Sequence, residues 1–129
     1  MRIAVTGGRE YADFLIRILL EKNHKVTVIE PDEAFCEHLA SVYDVNVVLG
    51  DPCREFILKE AGIRNYDVIM ALGSTDADNL EICQMGKKAL GIARAVCLVN
   101  NPRNTEVFRE LGMDQVVNIP MVLADSIGS

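Results

Sequence analysis

The chain has 129 residues, half of them hydrophobic and a quarter charged, the make-up of one globular domain able to bury a core without disulfides or a metal. Its formal net charge of −6, with no basic stripe interleaved with aromatics, argues against nucleic acid as a partner. No apolar run is long enough to cross a membrane and the N-terminus lacks a signal-peptide pattern, so a cytosolic location is expected.

The chain opens with an apolar strand, Arg2 to Thr6, that runs into Thr6-Gly7-Gly8-Arg9-Glu10-Tyr11-Ala12 and a helical pattern over Glu10 to Lys22. Further strands are predicted at Lys25 to Glu30, Asn46 to Leu49, Asp67 to Leu72, Ala95 to Val99 and Gln115 to Asn118. Between them the periodicity predicts helices at Asp32 to Tyr43, Pro52 to Ala61, Thr75 to Leu90 and Pro102 to Leu111. The strand cores are apolar at successive positions, as parallel strands covered on both faces require. Asp51-Pro52 and Asn101-Pro102 read as a capping side chain before a proline at the first helical position. Gly62, Gly91 and Gly112, each followed by an apolar residue, read as left-handed helix stops.

Strict alternation of strand and helix predicts an α/β fold over residues 1–119: a single domain with a Rossmann-like, doubly wound parallel sheet of six strands. Ligands are then expected at the carboxyl ends of the strands, near the switch point. Residues 120–129, PMVLADSIGS, read as the start of an apolar helix that stops as soon as it starts, expected to pack on a partner and to belong to something longer.

In a dinucleotide-binding turn the first glycine allows the turn, the second admits the pyrophosphate and the third lets helix pack on strand. Gly7 and Ala12 suit the first and third positions. The second holds Arg9, whose side chain would crowd a phosphate but whose guanidinium is also a fork for phosphate oxygens, with Gly8 supplying backbone freedom beside it. By itself the loop fits a phosphate cradle and a structural turn equally well.

Glu30 follows Gly7 by close to the roughly 20 positions expected of a carboxylate that bonds a ribose hydroxyl, and it favours a ribose without a 2′-phosphate. The competing reading makes Glu30, Asp32 and Glu33 an acidic first turn that stabilises the next helix. Asp51 and Pro52 end the third strand, and Gly73, Ser74, Asp76 and Asp78 end the fourth, on the same rim; caps at Asp51 and at Ser74 or Thr75 account for several of these residues without a ligand. Glu30, Asp51, Asp76 and Asp78 lack the spacing of a divalent-cation cage, so no metal site is expected. Cys36, Cys53, Cys83 and Cys97 are scattered singly and are expected as small core residues.

The succession GDPCREFILKEAGI, YDVIMALGSTDADNLEIC and VCLVNNPRNTEVFRELGMDQVVNIP resembles the N-terminal domain of regulators of potassium conductance, the RCK or TrkA-N (KTN) family. The likeness lies in a G-D-x-x helix ending in A-G-I, an acidic loop leading to Asn79, and V-N-x-P before a helix ending in L-G, and it covers nearly the whole chain. It implies a non-enzymatic, cytoplasmic module, peripheral at the inner face of the membrane, that gates or regulates a potassium channel or transporter subunit. It also implies homo- or hetero-oligomers, dimers within a ring, and makes residues 120–129 the start of a crossover helix. The implied ligand is an adenine nucleotide, NAD(H) or ATP/ADP/AMP, in a crevice formed by Gly7, Gly8, Arg9, Glu10, Tyr11, Glu30, Asp51, Pro52, Gly73 and Ser74. Two departures from the family's pattern, Arg9 in the glycine motif and Leu98 in place of a basic residue, leave a second implied role open: a ring-completing subunit without nucleotide, responsive to divalent ions.

A small NAD-dependent oxidoreductase is the reading from another class. Hydride transfer needs a substrate pocket and a general acid or base, and the residues four places after Tyr11, Tyr43 and Tyr66 are Leu15, Val47 and Met70 rather than lysine. A phospho-receiver domain would end strand one in an acidic pair and strand five in lysine, where this chain has Thr6-Gly7-Gly8 and Val99-Asn100.

Overall fold

The β-branched and apolar runs pair in parallel in a computed structural model that describes residues 1–128. Six strands, β1 (Arg2–Thr6), β2 (Lys25–Glu30), β3 (Asn46–Leu49), β4 (Val68–Ala71), β5 (Arg94–Leu98) and β6 (Gln115–Val117), form one sheet in the order β3-β2-β1-β4-β5-β6. Strand β1 pairs with β2 through Ala4 and Thr27 and with β4 through Ala4 and Ile69, so the winding reverses on either side of it. The crevice above that reversal is where an open α/β sheet binds ligands.

Period-two alternation sends neighbouring strand residues to opposite cores. Ile3, Val5, Val26 and Val28 meet Ala12 and Ile16 of α1 (Glu10–Glu21) and Leu39 of α2 (Glu33–Val42) on one face. On the other, Ala4, Ile29, Ile69 and Ala71 meet Leu58 of α3 (Glu55–Glu60), Ile82, Cys83 and Leu90 of α4 (Asp76–Leu90) and Phe108 of α5 (Thr105–Glu110). Each fully buried large aliphatic side chain contributes about 1.5–3 kcal/mol, and this two-sided burial is what selects parallel pairing. Between α1 and α2, Asp13 accepts a hydrogen bond from the Tyr43 hydroxyl and pairs with His38 Nε2 at 2.8 Å; these two partners hold its carboxyl below the ordinary range.

The glycine stops are present. Gly62, Gly91 and Gly112 have φ of +77°, +65° and +94°, and the apolar residues after them, Ile63, Ile92 and Met113, are buried. A further stop, invisible to a search for glycine, ends α1: Asn23 takes φ +66° and the His24 N–H donates to the Leu19 carbonyl.

Two expected helix starts move. The segment from Asp51 is a β-turn rather than a capped helix: the Arg54 N–H returns to the Asp51 carbonyl, the Asp51 side chain accepts from the Cys53 N–H at 2.9 Å, and α3 begins at Glu55. Aspartate followed by proline suits the first two positions of such a turn as well as it suits a cap, and here the turn wins. From Pro102 to Asn104 the chain makes one 3-10 turn, capped by Asn101 through the Arg103 N–H, before α5 begins.

The tail forms α6 (Ile119–Asp125), capped by Asn118 through the Met121 N–H, with Met121, Val122 and Leu123 exposed. Residue 129 of the expected 120–129 segment lies outside the described residues.

Helix α4 lies against the sheet at Gly86, where an added Cβ would sit 3.0 Å from Ile69 Cδ1 and 3.1 Å from Ile69 Cγ2. Gly86→Val is expected to pry α4 from β4 and to destabilise the domain by about 1–3 kcal/mol, read as a lowered urea midpoint with unchanged slope.

Candidate functional site

The carboxyl ends of β1, β2, β4 and β5 and the turns after β2 and β3 open onto a crevice of about 450 Å³. Its floor is set by a close backbone approach: a Cβ on Gly7 would fall 2.9 Å from both Gly73 N and Cα, and one on Gly8 would fall 3.0 Å from Leu72 Cβ. Both glycines have positive φ, +69° and +89°, so the turn needs glycine for conformation and for space.

The next residue keeps that geometry without being glycine. Arg9 has φ +42° and ψ −108°, a glycine-type backbone in the position of the second motif glycine. Its side chain reaches over to the β2–α2 turn, where Nη1 lies 3.4 Å from Asp32 Oδ2. Arg9, at the N-cap of α1, makes no side-chain cap bond, whereas Asp32 caps α2 by accepting from the Phe35 N–H at 3.1 Å. An uncapped helix start carries partial positive charge into the crevice.

Glu30 ends β2 with only 3% of its surface exposed. One carboxylate oxygen, Oε2, accepts from the Asp32 N–H at 2.8 Å, and the Glu30 carbonyl accepts from the Gly50 N–H. Glu30 is therefore a buried acceptor on the crevice wall, and truncating it would orphan a backbone donor as well as remove a carboxylate. Thr6, the last residue of β1, is 1% exposed, lines the crevice, and among the described residues has a hydroxyl with no hydrogen-bond partner. An orphaned buried hydroxyl beside open space is the signature of a missing polar neighbour.

The opposite wall is built by polar residues that knit two loops. Asn79 of α4, 1% exposed, accepts from the Gly73 N–H at 2.9 Å and donates to the carbonyls of Gly73 and Leu98 at 2.8 and 2.9 Å. Asp76 accepts from the N–H groups of Asn100 and Asn101 and from the carboxamides of Asn100 and Asn104, all at 2.7–3.0 Å. Burial opposes its ionisation, but these four donors prevail and hold its carboxyl below the ordinary range. Asp76 is thus a loop anchor with its oxygens occupied and does not join Glu30, Asp51 and Asp78 as a rim carboxylate. Helix α4 is not capped by Ser74, and Thr75, at its N-cap, makes no side-chain cap bond.

Of the predicted site residues, Gly7, Gly8, Arg9, Tyr11, Glu30, Asp51, Pro52, Gly73 and Ser74 line the crevice; Glu10, the first residue of α1, does not. The structure adds Thr6, Asn79 and Asn100. A polar residue closing an otherwise apolar strand was the available signal for Thr6; no local signal marked Asn79 as facing inward. Three cysteines, Cys36, Cys83 and Cys97, are buried as expected, while Cys53 is half-buried on the crevice wall. Burial, reinforced by Asp78, Asp51 and Glu81, pushes the Cys53 thiol up to about 12.

Residues 3–119 match the family described as the TrkA-N domain. The chain is 31% identical over 118 residues to the Trk system potassium uptake protein TrkA homolog of Methanothermobacter thermautotrophicus, covering 92% of this chain and 54% of that protein, about half its length. Among solved structures it is similar to the GsuK channel bound to NAD, with TM-score 0.84 and 25% identity over 98% of this chain and 23% of that one. It is equally similar to GsuK bound to ADP, with TM-score 0.83 and 25% identity over 98% of this chain and 33% of that one.

Two outcomes follow from the geometry. Gly7→Ala is expected to destabilise the domain by about 2–4 kcal/mol, because strain and the Gly73 collision add, whereas Gly62→Ala, with the same sign of φ and nothing within 4 Å of its Cβ, is expected to lose only about 1 kcal/mol; urea unfolding of both variants checks this. The folded-state pKa of Asp76 is depressed, so its stabilisation is complete above the unfolded carboxylate value and disappears as pH falls through the folded one. Asp76→Asn is expected to flatten the loss of stability below about pH 4, and an unchanged acid limb would count against the network.

Proposed function

The chain belongs to the TrkA-N domain family, and on that premise we propose that it is a regulatory, non-catalytic module of a potassium channel or transporter that senses an adenine nucleotide in the crevice above β1 and β4. The observation that carries the reading is the wall of that crevice: an uncapped α1 start beside Gly7 and Gly8, a Thr6 hydroxyl with no hydrogen-bond partner among the described residues, and the buried carboxylate of Glu30. The first suits phosphate, and the last suits the hydroxyls of a ribose that carries no 2′-phosphate. NAD(H) and ATP, ADP or AMP share these groups, and the GsuK structures named for NAD and ADP support both ligand types.

In this reading the module sits on the cytoplasmic side, held at the inner face of the membrane by a potassium channel or transporter subunit, and works as a homo- or hetero-oligomer. Nucleotide acts by favouring one arrangement of subunits over another, which requires different affinity for the two arrangements. The exposed apolar residues of α6, Met121, Val122 and Leu123, support an oligomeric role. One observation favours a second reading, a ring-completing subunit without nucleotide: Arg9 occupies the motif's second glycine position and is paired with Asp32.

Calorimetric titration of the nucleotide-stripped chain with NADH, NAD⁺, ATP, ADP and AMP, with and without Mg²⁺, separates the two. Saturable binding is expected, weakened at least about ten-fold by Glu30→Gln, which keeps an acceptor for the Asp32 N–H while removing the charge. Silence across the panel would leave the ring-completing role.

A further inference from the structure

Arg9 is the one cationic side chain among the described residues that line the crevice, against the carboxylates of Glu30, Asp51 and Asp78. Its partner is not a wall carboxylate but Asp32, on the turn between β2 and α2. The two ends of this pair differ in freedom. Asp32 is fixed, since Oδ1 accepts from the Phe35 N–H at 3.1 Å and its own N–H donates to Glu30 Oε2 at 2.8 Å. The Arg9 side chain is 69% exposed and, among the described residues, has Asp32 as its sole polar partner, through a single 3.4 Å contact. The glycine-type backbone at Arg9, φ +42°, roots this arm in the turn itself, beside the uncapped start of α1.

We propose that Asp32 holds Arg9 in reserve and thereby sets the affinity of the crevice for phosphate: on binding of an adenine nucleotide, the guanidinium leaves Asp32 and takes phosphate oxygens. This rests on the nucleotide-sensing reading above. A guanidinium bonds a phosphate through two parallel N–H groups, a better match than one long contact to a carboxylate already committed to a helix cap. An exposed, single-contact pair shifts an equilibrium by only about two- to five-fold, so Asp32 tunes affinity and does not lock the crevice. The exchange also makes the effect specific to the phosphate end of the ligand; adenosine, which carries no phosphate, has nothing to offer Arg9.

The test is titration of the 129-residue chain with ADP, NAD⁺ and adenosine in four versions: unaltered, Asp32→Asn, Arg9→Gln, and both together. Asparagine still caps α2, so the fold is kept. Asp32→Asn is expected to tighten ADP about two- to five-fold, to leave adenosine unchanged, and to lose this gain when Arg9→Gln is also present. ADP binding that becomes measurable only with Asp32→Asn, and is lost in the double variant, would support the proposal equally. A gain that survives Arg9→Gln would overturn it, because Asp32 would then act through its charge alone. So would unchanged or weaker ADP binding, or an equal gain for adenosine. If neither the unaltered chain nor Asp32→Asn binds ADP or NAD⁺, the nucleotide reading itself falls and the proposal with it; binding by the unaltered chain together with an unmoved Asp32→Asn overturns the proposal alone.

Discussion

Everything above the sheet depends on the approach of two backbones, Gly7 after β1 and Gly73 after β4. These strands are neighbours in the sheet but far apart in sequence, and the winding reverses between them. With no Cβ on Gly7, the turn after β1 passes directly over Gly73; a methyl group there would stand 2.9 Å from backbone atoms. That closeness points the start of α1 into the crevice and brings the hydroxyl of Thr6 and the carboxylate of Glu30 to the same opening.

The crevice has a stiff wall and a looser one. On the β4–β5 side, Asn79 ties Gly73 to Leu98, and Asp76 gathers the N–H and carboxamide groups of Asn100, Asn101 and Asn104. Multiply bonded groups of this kind, the buried Asn79 carboxamide and the half-buried Asp76 carboxylate, rigidify a structure, since loosening one bond leaves others unsatisfied. On the β1–β2 side, one exposed ion pair spans the gap between the glycine turn and α2. The β4–β5 side is thus the more tightly bonded wall of the crevice and the β1–β2 side the less tightly bonded one.

The network also joins two short stretches, TDADN and VNNPRN, that lie within the segments resembling the TrkA-N family. Their polar residues bond to each other across the sheet top: Asp76 to Asn100, Asn101 and Asn104, and Asn79 to the Leu98 carbonyl just before the second stretch. Either stretch read alone looks like a cap or a rim of acids. Together they are one structural unit that shapes a wall of the crevice.

By itself the sequence determined the elements, the parallel two-sided sheet and the family. Apolar runs, helical periods and glycine stops are local signals, recorded within a few residues of where they act; β1, β2 and β3 begin and end at the predicted residues. It also placed Gly7, Glu30, Asp51 and Gly73 on one rim, because strand ends are legible and the switch-point rule brings them together. Only the tertiary structure decided what each polar residue does there. Asp51 turns the chain instead of capping a helix, Asp76 anchors a loop instead of facing the crevice, the Thr6 hydroxyl has no hydrogen-bond partner among the described residues, and Arg9 meets Asp32. Carboxylates, amides and hydroxyls can each serve several partners. The choice among them is made by which loops the fold brings within about 3 Å of one another, and that distance is not written in any short stretch of chain.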